Sequence, residues 1–463
     1  MKGKRVAVLG MGKSGIALVH ELKARGALPF ISDQRSSEQL QQALEQLHDV
    51  PYETGAHTDQ VLEQDMLVIS PGISVHAPIV RKALEKGLEV AGEVELAYRF
   101  SRAPFVAVTG TNGKSTTVTL IHHMLEPRSI LAGNIGNPLV AEVGDLGEDR
   151  LVVAEISSFQ LETTHRFRPH VAVLTNITPD HLDRHPSLEE YQAAKARLFA
   201  YQTAQDFAVF PADDAPSQWI LERLKEGRLP AWLPGFPPPD APARPQVLEF
   251  SATHPVERGA WLQDGQIVLK LHDQPRVLFP WSFPGLPGPH NLLNALAAVC
   301  AAGALGVEPE KMRRALEGHH PLHHRMEVVA EVGGVRFVDD SKATNASSVE
   351  AALETFEGPI VLIAGGKEKG TDFTELGQAI ARRVRHLVLI GEAAPRLAQA
   401  AEQAGLKQIH HAGHDFPRAV ETARRLAEPG GVVLLSPACA SFDMFKNAED
   451  RGDQFRALVR GRV

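Results

Sequence analysis

Cysteine is scarce in this chain of 463 residues, which contains only Cys300 and Cys439. Two thiols cannot build a disulfide framework, and they exclude a zinc site made of cysteines alone. So low a count is typical of proteins in a reducing compartment. We therefore expect a cytoplasmic protein.

Long hydrophobic runs and an excess of basic charge are also missing. No stretch approaches the ~18 uninterrupted apolar residues of a membrane span, and the apolar run at residues 6–9 is too short for a signal peptide. The chain has 48 Lys and Arg against 56 Asp and Glu, a formal net charge of −8. This balance favours neither nucleic acid nor an anionic membrane as the main partner. We expect small-molecule partners, no nucleic acid and no membrane insertion.

What the chain does contain is a repeated alternation of short β-branched runs, glycine-rich or polar turns and amphipathic stretches. The runs are found at residues 5–9, 66–69, 105–108, 151–154, 171–174, 360–364, 386–390 and 432–435. This alternation predicts an α/β fold with parallel sheets and crossover helices, arranged in three units. Ligands of such sheets bind beyond the carboxyl ends of the strands, so the residues after each run should carry the chemistry.

Two segments depart from the alternation. The Pro-rich stretch at residues 229–245 cannot hold regular structure well, and we expect a surface excursion there. Gly333 and Gly334 lie between two apolar runs and predict a hairpin.

The segment GTNGKST at residues 110–116 follows an apolar run and predicts a phosphate-binding loop between a strand and a helix. Backbone N–H groups of such a loop hold phosphate oxygens, while Lys114 adds positive charge and Ser115 or Thr116 offers an oxygen to Mg²⁺. The strict Walker spacing would require glycine where this chain has Val108. The context favours a phosphate site over a plain glycine turn with a solvated lysine.

Two further strand ends carry possible metal ligands. Glu155 ends one apolar run, where its carboxylate could hold Mg²⁺ or only cap the next helix. The segment TNITPDHLDRH at residues 175–185 follows another run, and His181 in it could bind a second metal or be a structural histidine. No histidine or cysteine spacing supports zinc.

The N-terminal segment GMGKSG at residues 10–15 follows a strand-like run, and Asp33 ends the next run. This is the dinucleotide fingerprint, so an NAD(P)-dependent oxidoreductase is an alternative. However, the glycines would admit any nucleotide diphosphate, and a second phosphate loop is not expected of a simple dehydrogenase. A non-enzymatic nucleotide-binding switch is a third hypothesis, but it would not need the polar segments of the last unit.

Those polar segments each follow an apolar run. They are DDSKATN at 339–345, GGKEKG at 365–370 and SPACASFDMFKN at 436–447. Each collects donors suited to carboxylates or phosphates, although one alone could be a capped helix. We expect the three to face a shared cleft.

Taken in chain order, these motifs resemble those of the bacterial Mur ligases of peptidoglycan synthesis. The matching segments are GTNGKST at 110–116, GNIG at 133–136, EISSFQLE at 155–162, TNITPDHLDRH at 175–185, YQAAK at 191–195, HNLLNALAA at 290–298, HRME at 324–327, DSKATN at 340–345 and SPACASFDMFKN at 436–447. GTNGKST, HNxxN and HR are shared with folylpolyglutamate synthase. DSKATN and SPACASFD resemble the branch of the family that adds D-glutamate.

The resemblance implies a Rossmann-like UDP-substrate domain at 1–101, a central P-loop ATPase-like sheet at 102–321 and a Rossmann-like amino-acid domain at 322–463. It implies that ATP is bound by Gly110, Thr111, Asn112, Gly113, Lys114, Ser115, Thr116, Asn291, Asn294, Arg325, Asp340 and Lys342. It implies two Mg²⁺ sites, formed by Ser115, Glu155, His181 and a carbamylated Lys195. The UDP-linked substrate would contact Ser14, Gln34, Arg35, Gly72 and Asn134, and D-glutamate would contact Thr344, Lys369 and Ser441.

The implied reaction is ATP-dependent ligation of D-glutamate to UDP-N-acetylmuramoyl-L-alanine through an acyl phosphate, by a monomer. The implied catalytic residues are Lys114, His181 and Lys195. Ala448 stands where the resemblance implies a second aromatic over the amino-acid pocket. A related ligase that adds a different residue is therefore an alternative.

Overall fold

The computed structural model of the chain describes residues 1–144, 146–181, 184–185, 187–230, 236, 239–368 and 370–461. Within these ranges the strands form three sheets, each built mainly of parallel neighbours. Most of the parallel strands are buried along nearly their whole length. That burial explains why the apolar runs are continuous rather than alternating. The predicted α/β class with three parallel sheets is confirmed.

The first sheet has the strand order β3-β2-β1-β4-β5, all parallel. Its strands are β1 (Arg5–Leu9), β2 (Leu28–Asp33), β3 (Tyr52–Thr54), β4 (Met66–Ile69) and β5 (Glu89–Gly92). The accompanying helices are α1 (Lys13–Ala24), α2 (Gln41–Leu44), α3 (Pro78–Glu85) and α4 (Glu93–Phe100). The order reverses at β1, so the loops after β1 and β4 lie side by side at a topological switch point.

The second sheet has the order β14-β13-β12-β11-β10-β9-β6-β8-β7. Its strands are β6 (Phe105–Thr109), β7 (Ser129–Gly133), β8 (Leu151–Glu155), β9 (Val171–Leu174), β10 (Phe207–Pro211), β11 (Gln246–Ser251), β12 (Gly259–Gln263), β13 (Gln266–Lys270) and β14 (Arg276–Pro280). Its helices are α5 (Lys114–Leu125), α6 (Leu139–Glu142), α7 (Ser158–Leu161), α8 (Leu188–Ala196), α9 (Ala215–Lys225), α10 (Pro289–Ala304) and α11 (Pro309–Glu317). Strands β6 to β9 are parallel neighbours, so their carboxyl ends meet at one edge.

The third sheet has the order β15-β16-β20-β17-β18-β19. Its strands are β15 (Glu327–Val332), β16 (Val335–Asp339), β17 (Ile360–Gly365), β18 (Val384–Ile390), β19 (Ile409–Gly413) and β20 (Val432–Leu435). Its helices are α12 (Ala346–Leu353), α13 (Thr374–Arg383), α14 (Ala394–Gln403), α15 (Phe416–Leu426) and α16 (Ala448–Arg460). Strands β15 and β16 are antiparallel around Gly333 and Gly334, so the predicted hairpin is confirmed.

The chain divides into two compact units. The first comprises Met1–Ile177, Arg184–Trp281 and Leu293–Ala315, and the second comprises Thr178–Asp183, Ser282–Leu292 and Leu316–Val463. The first and second sheets thus belong to one unit, where they share a hydrophobic core. The domain boundaries after residues 101 and 321 stay predictions.

The Pro-rich stretch is not a purely surface excursion. No helix or strand is assigned to its described residues, as predicted, but Phe236 and Ala243 are buried. Phe236 packs in a core cluster with side chains of the first sheet, and the Arg197 guanidinium lies 5.4 Å from its ring centroid. The prediction of a surface segment is wrong at these two positions, because apolar side chains among the prolines are drawn into a core. Residues 231–235 and 237–238 lie outside the described residues.

No helix in the described part of the chain is long and apolar enough to cross a bilayer. Cys300 and Cys439 are both buried and unbonded to each other.

Candidate active site

The predicted phosphate loop lies between β6 and α5, at the carboxyl edge of the second sheet. Gly110 has φ +145° and Gly113 has φ +82°, backbone conformations that strongly favour glycine. A Cβ at Gly110 would lie 1.9 Å from Oγ1 of Thr175, and one at Gly113 would lie 2.1 Å from Oδ1 of Asn294. The loop therefore needs both glycines, for conformation and for close packing.

The loop is held in shape by the segment that follows β9. The backbone N–H groups of Thr111 and Asn112 donate to the carbonyl and side-chain oxygens of Asn176, at 2.9 and 3.0 Å. Thr175 Oγ1 donates to the carbonyl of Asn112 at 2.6 Å. Asn176 was not among the predicted site residues. Its position directly after a strand next to β6 is the signal that could have found it.

Two lysines converge on one carbonyl of this loop. Lys114 Nζ donates to Gly110 O at 2.9 Å and to Thr111 O at 2.8 Å. Lys195 Nζ, on α8, donates to the same Gly110 oxygen at 2.8 Å and lies 4.3 Å from the Tyr191 ring centroid. Only 1% of Lys195 is exposed. The structure therefore brings these two predicted residues together at the phosphate loop.

A hydroxyl and a carboxylate lie beside the loop. Ser115 Oγ, in the first turn of α5, donates to Glu155 Oε2 at 2.6 Å. Asn134 Nδ2 donates to the other carboxylate oxygen at 2.7 Å. Ser115 and Glu155 are both buried, and hard oxygen donors of this kind are those that Mg²⁺ prefers. Asn134 was assigned to the substrate, and the structure places it against this pair.

The two asparagines of the HNLLN segment lie on α10, three residues apart and thus on one helix face. Asn294 approaches the phosphate loop, since its Oδ1 accepts from Thr117 Oγ1 at 3.4 Å as well as packing on Gly113. Asn291 Nδ2 donates to the carbonyl of Pro287 at 2.7 Å and belongs to the second unit.

His181 also belongs to the second unit, with the short segment Thr178–Asp183. Its backbone N–H donates to Asp180 Oδ1 at 2.8 Å, and its φ of +55° is in the left-handed region. Asp180 Oδ2 accepts from Asn345 Nδ2 at 3.0 Å, and Thr178 Oγ1 lies 3.0 Å from Ser347 Oγ. The histidine-bearing turn is thus tied to the start of α12.

The three polar segments of the last unit meet at one edge, because β16, β20 and β17 are parallel neighbours. Ser436 Oγ donates to Asp340 Oδ2 at 2.8 Å, and the Lys367 N–H donates to Ala440 O at 2.8 Å. Burial raises the pKa of Asp340 to about 7, against the opposing effects of the Ser436 hydrogen bond and the charge of Arg325. These contacts bring the three segments together at one edge of the sheet, and the shared cleft stays a prediction.

A buried arginine joins two of these segments. Arg451 on α16 has 0% exposure and donates to Oγ and O of Ser341, at 2.9 and 2.8 Å, and to Cys439 O at 3.2 Å. It was missed from the sequence, since an arginine after the last polar motif carries no local signal of burial.

The remaining predicted contacts of this unit are placed as follows. Lys342 forms an ion pair with Glu449, and Ser441 is buried in a turn that Phe445 N–H closes at 2.8 Å. Thr344 is half-buried. Lys369 lies outside the described residues.

Side chains around His324 have the composition of metal ligands. The groups are His323, His324 and Asp453, and His324, Glu327 and Asp339. These side chains already have partners within the protein, because His324 Nδ1 lies 2.7 Å from Asp339 Oδ2 and the Arg456 guanidinium lies 2.6 Å from both His323 Nδ1 and Glu327 Oε1. A cation so close opposes metal binding.

In the first sheet, the predicted residues Ser14, Gln34, Arg35 and Gly72 all follow carboxyl ends of strands. Asp33 accepts from the Met11 N–H at 2.8 Å and from Arg35 Nη2 at 2.7 Å. Burial opposes ionisation, but these bonds outweigh it and lower the pKa of Asp33 to about 2. Because Arg35 and the loop occupy both oxygens, Asp33 is not available as the ribose ligand that the dinucleotide alternative requires.

A phosphate loop with converging lysines and a hydroxyl–carboxylate pair characterises enzymes that bind nucleotide phosphates and transfer phosphoryl groups. Three family patterns match the chain in order: the Mur ligase MurD-like N-terminal domain at residues 4–92, the Mur ligase middle domain at 108–302, and the Mur ligase glutamate ligase domain at 324–439. The chain belongs to the Mur ligase family.

Curated relatives match over the full length. The UDP-N-acetylmuramoylalanine–D-glutamate ligase of Pelotomaculum thermopropionicum is 44% identical, with 98% of this chain and 97% of that protein covered. The enzyme of the same name from Koribacter versatilis is 41% identical, with coverages of 99% and 98%. Among solved structures, a pseudomurein peptide ligase type C from Methanothermus fervidus aligns over 100% of both chains with a TM-score of 0.59 and 16% identity. That likeness supports the fold.

Proposed function

We propose that this chain ligates D-glutamate to UDP-N-acetylmuramoyl-L-alanine at the expense of ATP, in peptidoglycan precursor synthesis. The full-length relatives that carry the name of this activity support the substrates. The family pattern at 108–302 supports the use of ATP. The reaction proceeds through an acyl phosphate that the amine of D-glutamate attacks.

The observation that carries this proposal is the convergence of Lys114 and Lys195 on the Gly110 carbonyl, next to the Ser115–Glu155 pair. A phosphoryl group in transfer carries spread negative charge, and catalysis consists mainly of positioning and neutralising it. The ammonium of Lys114 would supply a positive charge and hydrogen-bond donors for that group. The γ-phosphoryl group passes to the terminal carboxylate of the UDP-linked substrate, and phosphate later leaves through a tetrahedral intermediate.

Ser115 and Glu155 would hold one Mg²⁺, since their oxygens already lie 2.6 Å apart and are buried. When bound, the ion supplies charge neutralisation for the phosphates. His181 would serve a second ion. We assign His181 the role of ligand rather than base, because a metal-bound imidazole cannot easily accept a proton.

Lys195 would be carbamylated in the active enzyme. An ammonium that is 1% exposed is costly to bury, and the Gly110 carbonyl to which Lys195 Nζ donates is a neutral acceptor. Carbamylation, in which the lysine amine takes up CO2 and releases protons, would replace this cation with an anion that carries two oxygen ligands, which suits a second Mg²⁺. The buried amine close to the phosphate loop is the feature that supports the assignment.

The other predicted site residues keep the roles that the resemblance implies. The UDP-linked substrate is assigned to Ser14, Gln34, Arg35, Gly72 and Asn134, and D-glutamate to Thr344, Lys369 and Ser441. Arg325, Asp340, Lys342, Asn291 and Asn294 are assigned to ATP. We also place the enzyme in the cytoplasm as a monomer, because its substrates are water-soluble and a single chain carries every assigned residue.

The test is phosphate release from ATP with UDP-N-acetylmuramoyl-L-alanine present, while amino acids are screened one at a time. Release with D-glutamate alone, with a product heavier by one glutamyl residue, is the expected result. The Lys114→Ala variant is the control for contaminating ATPases. Absence of release with every amino acid would reject the proposal.

A second candidate is a ligase of the same chemistry that adds a different amino acid. The observation that favours it is Ala448, a small residue at the position where the resemblance implies an aromatic side chain. The carbonyl of Ala448 accepts a hydrogen bond from Ser341 Oγ at 2.7 Å. Release with another amino acid in the same screen would select this candidate.

A further inference from the structure

Arg184 holds two backbone carbonyls of the loop that follows β4. Its Nη1 donates to Pro71 O at 3.1 Å, and its Nη2 donates to Ile73 O at 3.0 Å. These carbonyls stand on either side of Gly72, and all four residues belong to the first compact unit. One guanidinium therefore fixes the Pro71–Gly72 and Ile73–Ser74 peptide planes.

The guanidinium of Arg184 is also held by Glu162 and packs on Phe159. Its Nη2 donates to Glu162 Oε2 at 2.5 Å, and its Nε donates to Oε1 at 3.4 Å. The guanidinium lies 4.5 Å from the centroid of the Phe159 ring, and only 3% of Glu162 is exposed. A planar cation with a carboxylate on one side and carbonyls on the other has little freedom to turn.

The orientation of the carbonyls decides the orientation of two amides. In a trans peptide the C=O and the N–H of the same plane point in opposite directions. The N–H groups of Gly72 and Ser74 therefore point away from Arg184. Among the described residues neither amide donates to a protein acceptor, and a Cβ built on Gly72 would meet no atom within 4 Å.

We propose that Arg184 is a positioning residue that aims the Gly72 and Ser74 amides at anionic oxygens of the UDP-linked substrate. The inference rests on the proposed function, which places a nucleotide diphosphate and a carboxylate near this loop. Backbone N–H groups presented together form an anion-binding concavity, and they do so without a charged side chain touching the ligand. Arg184 acts through the loop and does not itself contact the substrate.

The test compares Arg184→Lys and Arg184→Ala with the wild type. Lysine keeps the charge beside Glu162 but cannot bridge two carbonyls from a rigid fork. We expect both variants to raise KM for UDP-N-acetylmuramoyl-L-alanine roughly 10- to 100-fold, the range for lost hydrogen bonds to a charged group. KM for ATP and for D-glutamate should stay within about twofold, because neither ligand is assigned to this loop.

A matched control is Arg168→Lys. Arg168 also joins a carboxylate, with Nε 2.6 Å from Asp206 Oδ2, but it precedes β9 and so lies at the opposite end of the strand from the site. This variant should leave all three KM values unchanged. Added guanidinium ion at low concentration should lower the raised KM of Arg184→Ala, while the same concentration of sodium chloride should not.

An unchanged KM for the UDP-linked substrate in Arg184→Lys would overturn the positioning role. An equal rise in all three KM values without guanidinium rescue would also overturn it, because it would indicate general loss of structure. Failure of the wild type to turn over would reject the proposed function instead. Calorimetric Kd values for the UDP-linked substrate without ATP would still test Arg184 in that case, since they need no turnover.

Discussion

The hydroxyl of Ser115 donates to Oε2 of Glu155 at 2.6 Å, across a separation of forty residues in the chain. Ser115 lies in the first turn of α5, the helix that follows β6, and Glu155 ends β8, which pairs with β6 in the second sheet. The pair is the structural basis for the proposed magnesium site.

Replacing Glu155 by Gln should lower kcat by about 100-fold or more, because the amide removes the charge that a Mg²⁺ ligand provides. The Mg²⁺ concentration for half-maximal phosphate release should rise. A titration of activity against Mg²⁺ measures both. Binding of the UDP-linked substrate should be unaffected, and a wild-type Mg²⁺ profile would contradict the assignment of Glu155.

Replacing Lys114 by Ala should reduce phosphoryl transfer by about 100- to 1000-fold, the usual cost of one donor to developing charge. The Kd of the UDP-linked substrate should stay within about twofold, since the first sheet carries its predicted contacts. Rapid-quench phosphate release and calorimetry separate the two effects. Equal losses in both would contradict the division of roles between the sheets.

Replacing Lys195 by Ala should abolish activity, and short carboxylic acids such as formate should partly restore it. A small carboxylate could enter the space of the side chain and supply the oxygens of the carbamate. Phosphate release with increasing formate measures the rescue. Lys114→Ala is the control and should show none, because it lacks a cation rather than an anion. Without rescue of Lys195→Ala, the carbamate assignment fails.

The stability of the protein should depend on pH through Asp340. Its pKa is raised by burial from an ordinary value of 3.8 to about 7, so between these values the folded protein keeps a proton that the unfolded chain has released. Stability therefore falls as pH rises through this window, by at most about 1.4 kcal/mol per pH unit, and levels off above it. Urea unfolding of the wild type and of Asp340→Asn from about pH 4.5 to 8 measures this. The free energy of unfolding of the wild type relative to that of Asp340→Asn should decline up to about pH 7. A difference in this free energy that stays constant with pH would contradict the raised pKa.

Replacing Gly15 by Ala should destabilise the first sheet, because a Cβ there would lie 1.8 Å from the carbonyl oxygen of Gly10. The expected cost is about 1 to 3 kcal/mol, as for overpacked sites. Gly12→Ala is a matched control from the same motif, since its Cβ would meet no atom within 4 Å. Thermal unfolding should show a lower midpoint for Gly15→Ala and an unchanged one for Gly12→Ala. The reverse order would contradict the close approach of Gly15 to the Gly10 carbonyl.

Much of the candidate site could be predicted because its signals are local. The loop at 110–116 has its glycines, lysine and serine within one turn, and the flanking apolar run and helix lie beside it in the sequence. The same holds for Glu155, which ends a strand. Asn176, Arg184 and Arg451 were missed, because nothing in their immediate neighbours indicates which backbone groups they contact.

The burial of particular side chains could not be predicted from the sequence either. Phe236 sits among prolines that predict a surface segment, yet it packs against the first sheet. Asp340 belongs to a polar motif, yet it is buried, and its raised pKa follows from that burial. Both results depend on neighbours that are distant in sequence.

The sequence by itself determined the α/β class, the position of the phosphate loop and the strand ends that carry polar side chains, because apolar period and glycine spacing act within a few residues. The tertiary structure decided that Lys114 and Lys195 both donate to the Gly110 carbonyl and that Arg184 donates to the carbonyls on either side of Gly72. The order of the strands in the sheets determines which side chains can form those contacts. It depends on how whole helices and sheets pack, and no local pattern records it.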